Sequence, residues 1–206
     1  MKRPSTVDQA VERATTAHDG QILLDRVGRG DLTAFEQLFR LFAADLVAFA
    51  GSYVDSEDDA EEVVHIVFCW LWEHRFTLPR PNSVRSYLFA AVRNRALNVV
   101  RDRRTEAAFR ERAARVARAE ADGGFAAASP SPESELAARD IAHALAEALR
   151  QMPPRCREVY GLTREHGLTY AEVAEALGIA PKTVEIHMSR ALAILRGKLA
   201  PWLADG

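Results

Sequence analysis

Cysteine is scarce in this chain, with only Cys69 and Cys156 among 206 residues. Two thiols do not make a disulfide scaffold, and neither stands at metal-binding spacing, so the sequence points to a reducing compartment. Long apolar runs are missing too. The longest, VVHIVFCWLW at residues 63–72, is too short to cross a bilayer and contains His65. The first twenty residues carry two early basic side chains with no apolar stretch behind them, so a secretory signal is not expected. A soluble, cytoplasmic protein follows from this. Proline and glycine are sparse over residues 31–73, and strand-like alternation is weak. No nucleophile–base pair, phosphate-binding loop or metal cluster stands out. The expectation is a non-enzyme with no cofactor, no metal and no small-molecule substrate.

Excess charge of one sign is also absent. The net charge is −2, with 27 Lys and Arg against 29 Asp and Glu. The distribution is uneven, however. VDSEDDAEE (residues 54–62) holds six acids and no base, whereas residues 73–104 hold eight arginines against Glu73 and Asp102. A local basic face decides phosphate contact more than the total does.

Apolar residues recur at helical spacing along most of the chain. Helices are predicted at about 31–53, 57–75, 83–104, 135–151, 154–165, 170–177 and 181–199. The loop TLPRPNS (77–83) holds two prolines and ends on Ser83, a suitable N-cap. Residues 105–134 begin Ala- and Arg-rich, then run through Gly123-Gly124 and Ser129-Pro130-Ser131-Pro132. They read as a flexible linker, partly helical and partly disordered. The fold class is therefore all-α, with two small helical domains joined by a linker. The divisions fall at a disordered 1–20, a first domain 21–104, the linker 105–134 and a second domain 135–206.

In the second domain, Thr169 and Glu172 form a capping box that starts a helix. Gly178 ends it where a tight turn needs positive φ, and Pro181 suits the first turn of the next. That next helix sets Val184, Met188, Ala191, Leu192 and Leu195 on one face, and Lys182, Glu185, Ile186, Ser189 and Arg190 on the other. Ala174, Gly178 and Val184 stand at helix-turn-helix spacing. The second helix would enter the major groove, with Arg190 and Lys182 reaching phosphates or guanine and Ile186 a thymine methyl. An ordinary helical hairpin with a solvated polar face would share the three-residue spacing. The cap, the turn glycine and the N1 proline together favour DNA binding.

In the first domain, DAEEVVHIVFCWLWEHR (59–75) carries an apolar arc from Ile66 and Trp70 through Val63, Val67, Leu71 and Val64 to Phe68 and Trp72. It spans about two-thirds of the helix circumference at 100° per residue. The polar remainder of the wheel is narrow: Glu62, His65, Cys69 and Glu73. A surface helix needs a narrower stripe, so this one is either enclosed in its own bundle or shared between its domain and a partner. His65 and Cys69 lie one turn apart, yet no further ligands stand nearby to complete a metal site. The stretch SVRSYLFAAVRNRALNVVRDRR (83–104) is read as burying Tyr87, Leu88, Ala91, Val92, Leu97 and Val100. Its polar face carries Arg85, Arg93, Asn94, Asn98 and Arg101, a set suited to phosphates and unstacked bases with Tyr87 close by. A merely solvated basic face is the competing reading.

Together these stretches resemble bacterial RNA polymerase sigma factors of the extracytoplasmic-function group, which keep two domains, σ2 and σ4, joined by a flexible linker. DAEEVVHIVFCWLW looks like the group's region 2.2, the 83–104 stretch with Arg93-Asn94 like region 2.4, and MPPRCREVY (152–160) like the segment before the helix-turn-helix. The resemblance spans 31–104 and 135–199. It implies that Asp59, Glu62, His65, Ile66 and Cys69 contact core RNA polymerase. It implies that Arg85, Tyr87, Arg93, Asn94, Asn98 and Arg101, with loop 77–83, hold the melted −10 element. Lys182, Thr183, Glu185, Ile186, Ser189 and Arg190 would read the −35 element. Partners implied are core polymerase, promoter DNA and an anti-sigma factor. KTVEIHMSRAL (182–192) looks most like the iron-uptake, cell-surface-signalling branch, where that partner is often membrane-anchored.

The chain departs from the group at His65, where Gln is usual, and at Ile66, where an acid is usual. Glu185 and His187 stand where many members carry Lys or Arg. A rival reading is a dimeric regulator with a C-terminal LuxR-type helix-turn-helix, whose wording Thr183–His187 also matches. Its N-terminal part should be α/β, and no strands are expected here. A helical adaptor that uses the broad apolar helix only for a protein partner is a second rival.

Overall fold

The computed structural model describes residues 18–117 and 136–203; the rest of the expected disordered N-terminus and residues 118–134 of the expected linker lie outside the described residues. No strand occurs among the described residues. Among the described residues the helices are α1 (18–27), α2 (Leu32–Ala50), α3 (Glu57–Glu73), α4 (Val84–Ala117), α5 (Leu136–Gln151), α6 (Pro154–Arg164), α7 (Tyr170–Leu177) and α8 (Pro181–Leu203), with a 3-10 turn at Arg75–Thr77. The chain divides into two compact units. One holds the residues up to Thr105 together with Ala171–Gly178, and the other holds Glu106–Tyr170 and the residues from Ile179 onward.

Local chemistry sets the helix starts. Asp31 caps α2 by accepting the Ala34 N–H at 3.0 Å, and it also takes a 2.7 Å hydrogen bond from Arg26. The Ala34 amide first, and then Arg26, hold its carboxyl below the ordinary value. Ser56 caps α3 through the Asp59 N–H, and Glu57, Asp58 and Asp59 follow in the first turn, where acids oppose the positive end of the helix. Ser83 accepts the Ser86 N–H at 3.2 Å, the expected N-cap of α4. Gly30, at φ 87°, turns the chain between α1 and α2 in the left-handed region that favours glycine.

The core of the first unit is apolar and aromatic. Phe42, Phe68 and Phe89 are fully buried, with Leu38, Leu46, Leu71 and Leu88 around them. Each such side chain stabilises the fold by about 1.5–3 kcal/mol relative to exposure. Ring contacts order the core: Phe39 meets Phe68 edge-on at 4.9 Å and Phe49 meets Phe89 at a tilt, also 4.9 Å between centroids. Helix α1 was not predicted. It buries Leu24 and Val27, and it lies so close to α2 that a Cβ on Gly20 would stand 3.2 Å from the Phe42 ring. Within the same unit the Ser83 and Ser86 hydroxyls donate to Glu172 at 2.8 Å and Glu175 at 2.7 Å, so acids of α7 meet the first turn of α4.

In the second unit α5, α6 and α8 share a core of Ala148, Met152, Cys156, Ala191 and Leu195, flanked by Leu145, Leu149, Tyr160 and Ile194. Arg157 donates to the carbonyls of Arg150 at 2.7 Å and Met152 at 3.1 Å, satisfying acceptors left over where α5 ends. Pro154 opens α6 and Pro181 opens α8, both positions where a missing N–H costs nothing.

Candidate nucleic-acid and partner interfaces

Helix α8 has two unlike faces. Val184, Met188, Ala191 and Leu195 are buried and hold its underside, with Leu192 half-buried beside them. Lys182, Glu185, Ile186, Ser189 and Arg190 are exposed, and Thr183 is half-buried. Gly178 precedes the helix at φ 63°, as the tight turn requires. Ile186 is 58% exposed, an apolar side chain left outside between the buried Val184 and Met188. Lys182 is not a free cation: its ammonium meets Glu185 at 2.6 Å, and that carboxylate raises its pKa.

On α4 the buried stripe runs through Val84, Leu88, Phe89, Val92 and Ala96, and also takes in Ser86. This differs in phase from the predicted stripe. Leu97 is 38% exposed, while Tyr87, Ala91 and Val100 are only half-buried. The predicted polar residues divide accordingly. Asn94, Asn98 and Arg101 are exposed, and with Tyr87 they form one continuous strip at 100° per residue. Burial of the Tyr87 ring pushes its hydroxyl pKa up, so the group stays a protonated donor. Arg93 is half-buried to one side. Arg85 is not on this strip. It lies against the core, 3.1 Å from Asp45, with its guanidinium 5.7 Å from the Phe89 ring centroid.

On α3, Val63, Val64, Val67, Phe68 and Leu71 are buried, whereas Glu62, His65, Cys69 and Glu73 are exposed. The surplus apolar width comes out at the edges. Ile66 is half-buried, and Trp70 is 47% exposed with its ring stacked on His74 at 4.4 Å. Asp59 is engaged inside the protein. Arg103 of α4 grips its carboxylate with both nitrogens, one at 2.7 Å, and holds it below the ordinary carboxylate value. Beside the polar edge lies an apolar depression of about 300 Å³, lined by Phe35, Glu36, Phe39, Arg40, His65, Phe68 and Cys69. The sequence reading of this surface drew on α3 alone and missed Phe35 and Phe39. Their i, i+4 spacing on α2, next to the buried Leu38 and Phe42, is the signal that marks them. Among the described residues no group of three or more His, Cys, Asp or Glu could hold a metal ion, and no helix is long and apolar enough to cross a membrane.

These surfaces coincide with two known protein regions. The profile "Sigma-70 region 2" matches residues 38–106, and "Sigma-70, region 4" matches 142–195. The RNA polymerase sigma factor CnrH of Cupriavidus metallidurans is 31% identical over 179 residues, which are 87% of this chain and 93% of that protein. The chain is an RNA polymerase sigma factor of the extracytoplasmic-function group. It is also similar to the ferric citrate uptake sigma factor FecI of Escherichia coli, 24% identical over 82% of this chain and 92% of that protein. The solved structure of CnrH with the cytosolic domain of CnrY superposes with a TM-score of 0.61 at 25% identity, covering 89% of this sigma factor and 98% of that chain. RpoE of Bartonella quintana, solved with the anti-sigma factor NepR, shares the fold at a TM-score of 0.57 and 24% identity, over 81% and 96% of the two chains. As a sigma factor the chain directs promoter-specific initiation by RNA polymerase. The rival dimeric regulator is not favoured, because region 2 occupies the stretch where it needs an α/β domain. Sigma factors are initiation factors.

Proposed function

We propose that this sigma factor divides its contacts among three surfaces. The exposed face of α8 reads the −35 element through Lys182, Thr183, Glu185, Ile186, Ser189 and Arg190. The strip Tyr87, Asn94, Asn98 and Arg101 on α4, with Arg93 beside it, holds the melted −10 element. The polar edge of α3, with Glu62, His65, Ile66 and Cys69, meets core polymerase, and Trp70 adds apolar area to that contact. Arg85 and Asp59 enter this scheme as braces. Each is tied to a partner inside the first unit, Asp45 and Arg103 respectively. The observation that carries the reading is the two-faced α8: an underside fixed by four buried side chains, and a top that leaves Ile186 58% exposed among polar groups.

The protein works in the cytoplasm as an initiation factor and catalyses nothing itself. Residues 21–104 serve as region 2 and 135–206 as region 4. An anti-sigma factor covers its surfaces when transcription is not wanted. The complexes of CnrH with CnrY and of RpoE with NepR support that regulation, and the likeness to FecI supports a place in the iron-uptake branch. The test is gel filtration of the purified chain with core RNA polymerase, followed by run-off transcription from promoters selected by the reconstituted holoenzyme. Stoichiometric co-elution with specific initiation supports the reading. A dimer that ignores polymerase and shifts duplex DNA alone overturns it.

A further inference from the structure

One polar pair inside the second unit has no part in the scheme above. The Sγ of Cys156 on α6 lies 3.5 Å from Nδ1 of His187 on α8. Cys156 is 1% exposed and belongs to the apolar core with Ala148, Met152, Ala191 and Leu195. His187 is half-buried. Its position, four residues after Thr183 and three before Arg190, puts it on the margin of the exposed face of α8. The structure gives its Nε2 no hydrogen-bond partner among the described residues.

The hydrogen bond made by one imidazole nitrogen decides which nitrogen carries the proton. A thiol is a weak donor and a weaker acceptor, and an imidazole lone pair accepts well. Among the described residues the Cys156 thiol has no other hydrogen-bond partner. Donation from Cys156 to Nδ1 leaves the ring proton on Nε2, the nitrogen on the far edge of the ring. A donor at the margin of a groove-entering helix meets the sugar-phosphate backbone, which takes half to two-thirds of the hydrogen bonds in protein–DNA interfaces.

We infer that His187 is a further promoter contact, a neutral N–H donor to a −35 phosphate, and that Cys156 is the positioning residue that fixes its tautomer. The inference rests on α8 being the promoter-facing helix. It names a contact of a different kind from Lys182 and Arg190. A neutral donor adds one hydrogen bond and displaces no condensed cation, so it tightens binding without steepening the salt dependence.

The experiment uses holoenzyme reconstituted with core polymerase and the duplex that it selects from a random-sequence pool. His187→Phe should weaken binding roughly twelvefold to 150-fold, the range for one hydrogen bond to a charged group, and leave the slope of log affinity against log salt unchanged. His187→Gln, which keeps an amide donor, should bind nearly as the parent does, and so separates contact from folding. Cys156→Val fills the space without a donor and should reproduce the His187→Phe loss, whereas Cys156→Ser keeps a donor and should not. Long-range proton–nitrogen NMR of the free protein, above the titration range of its imidazoles, should show Nδ1 unprotonated and Nε2 protonated, and Cys156→Val should erase that preference. A protonated Nδ1 overturns the inference, as does unchanged affinity in His187→Phe or a slope reduced by about 0.9, which marks a cation. Arg190→Ala is the control. If it weakens binding and His187→Phe does not, the inference alone fails. If neither changes binding, the promoter-facing reading of α8 fails with it.

Discussion

Replacing Ile186 by alanine separates promoter reading from folding. The residue is 58% exposed and sits on a helix whose hold on its unit comes from Val184, Met188, Ala191 and Leu195. Fully burying an isoleucine side chain is worth about 1.5–3 kcal/mol. Covering the exposed 58% against a thymine methyl is then worth about 0.9–1.7 kcal/mol, or roughly fourfold to twentyfold in affinity. Stability should hardly respond. Little core contact is lost, and alanine is the better helix former, so the change should stay within about 0.5 kcal/mol. The assay pairs thermal unfolding of the free chain with holoenzyme binding to the selected −35 duplex and to a duplex carrying uracil, which lacks the methyl, at each −35 thymine. The parent should lose affinity on the uracil duplex, and Ile186→Ala should lose little more. A parent indifferent to the methyl, or a variant that melts many degrees lower, refutes the reasoning.

Glu185→Gln should release Lys182 from its 2.6 Å ion pair and remove an acid from the groove side. Non-specific duplex binding should tighten, and the salt slope should steepen by up to about 0.9; an unchanged slope shows that the ammonium was already free. Asp59→Asn tests the brace between α3 and α4. Because Arg103 lowers the Asp59 pKa below 3.8, the pair stabilises the fold at all pH values above that and is lost as pH falls through the depressed folded value. The variant should melt a few degrees lower at pH 7, and the gap should narrow below pH 3.8; a gap constant with pH sinks the assignment. Phe68→Ala removes a buried ring that meets Phe35 and Phe39, and it should cost about 3–5 kcal/mol in denaturant unfolding. Trp70→Ala, by contrast, should chiefly weaken co-elution with core polymerase; equal folding losses in both variants argue against an outward role for Trp70.

Periodicity and caps were legible wherever the physics is local. The underside of α8, the turn at Gly178, the Ser83 cap and the polar edge of α3 all follow from neighbours within four residues. The phase of α4 was read less well. Tyr87 and Leu97 look like core in sequence, but the buried stripe runs through Val84, Phe89 and Ala96, because the aromatic ring of Phe49 waits for Phe89. Helix α4 also continues to Ala117, well into the expected linker. The Ala- and Arg-rich run after Thr105 has enough intrinsic helix propensity to propagate from a helix already nucleated. Helix α1 escaped notice because its anchors, Leu24 and Val27, mean little without α2 beneath them. The largest gap concerns charged pairs. Arg103 and Asp59 are 44 residues apart, and Arg85 and Asp45 are 40 apart. Nothing in a single sequence says which arginine of a basic stretch is for phosphate and which is for a carboxylate.

That distinction bears on how a near-neutral chain serves DNA. Of the basic residues assigned to promoter contact by sequence, Arg85 is paired with Asp45, Lys182 with Glu185 and Arg101 with Asp102. Cations so paired neutralise fewer phosphates without competition. Each forfeits close to one unit of salt slope, and with it much of the sequence-independent affinity that lets a regulator hold duplex DNA alone. What remains exposed on the two DNA-facing surfaces is weighted toward Asn94, Asn98, Ser189 and Ile186, groups that discriminate bases more than they attract phosphates. A protein built this way binds promoters weakly by itself. With polymerase docked at α3 as proposed, it becomes effective when the −10 and −35 contacts join into one binding event, since linked contacts gain affinity through effective concentration without any new interaction. On this reading the paired cations are part of the selectivity: they keep the free factor off DNA until polymerase has bound it.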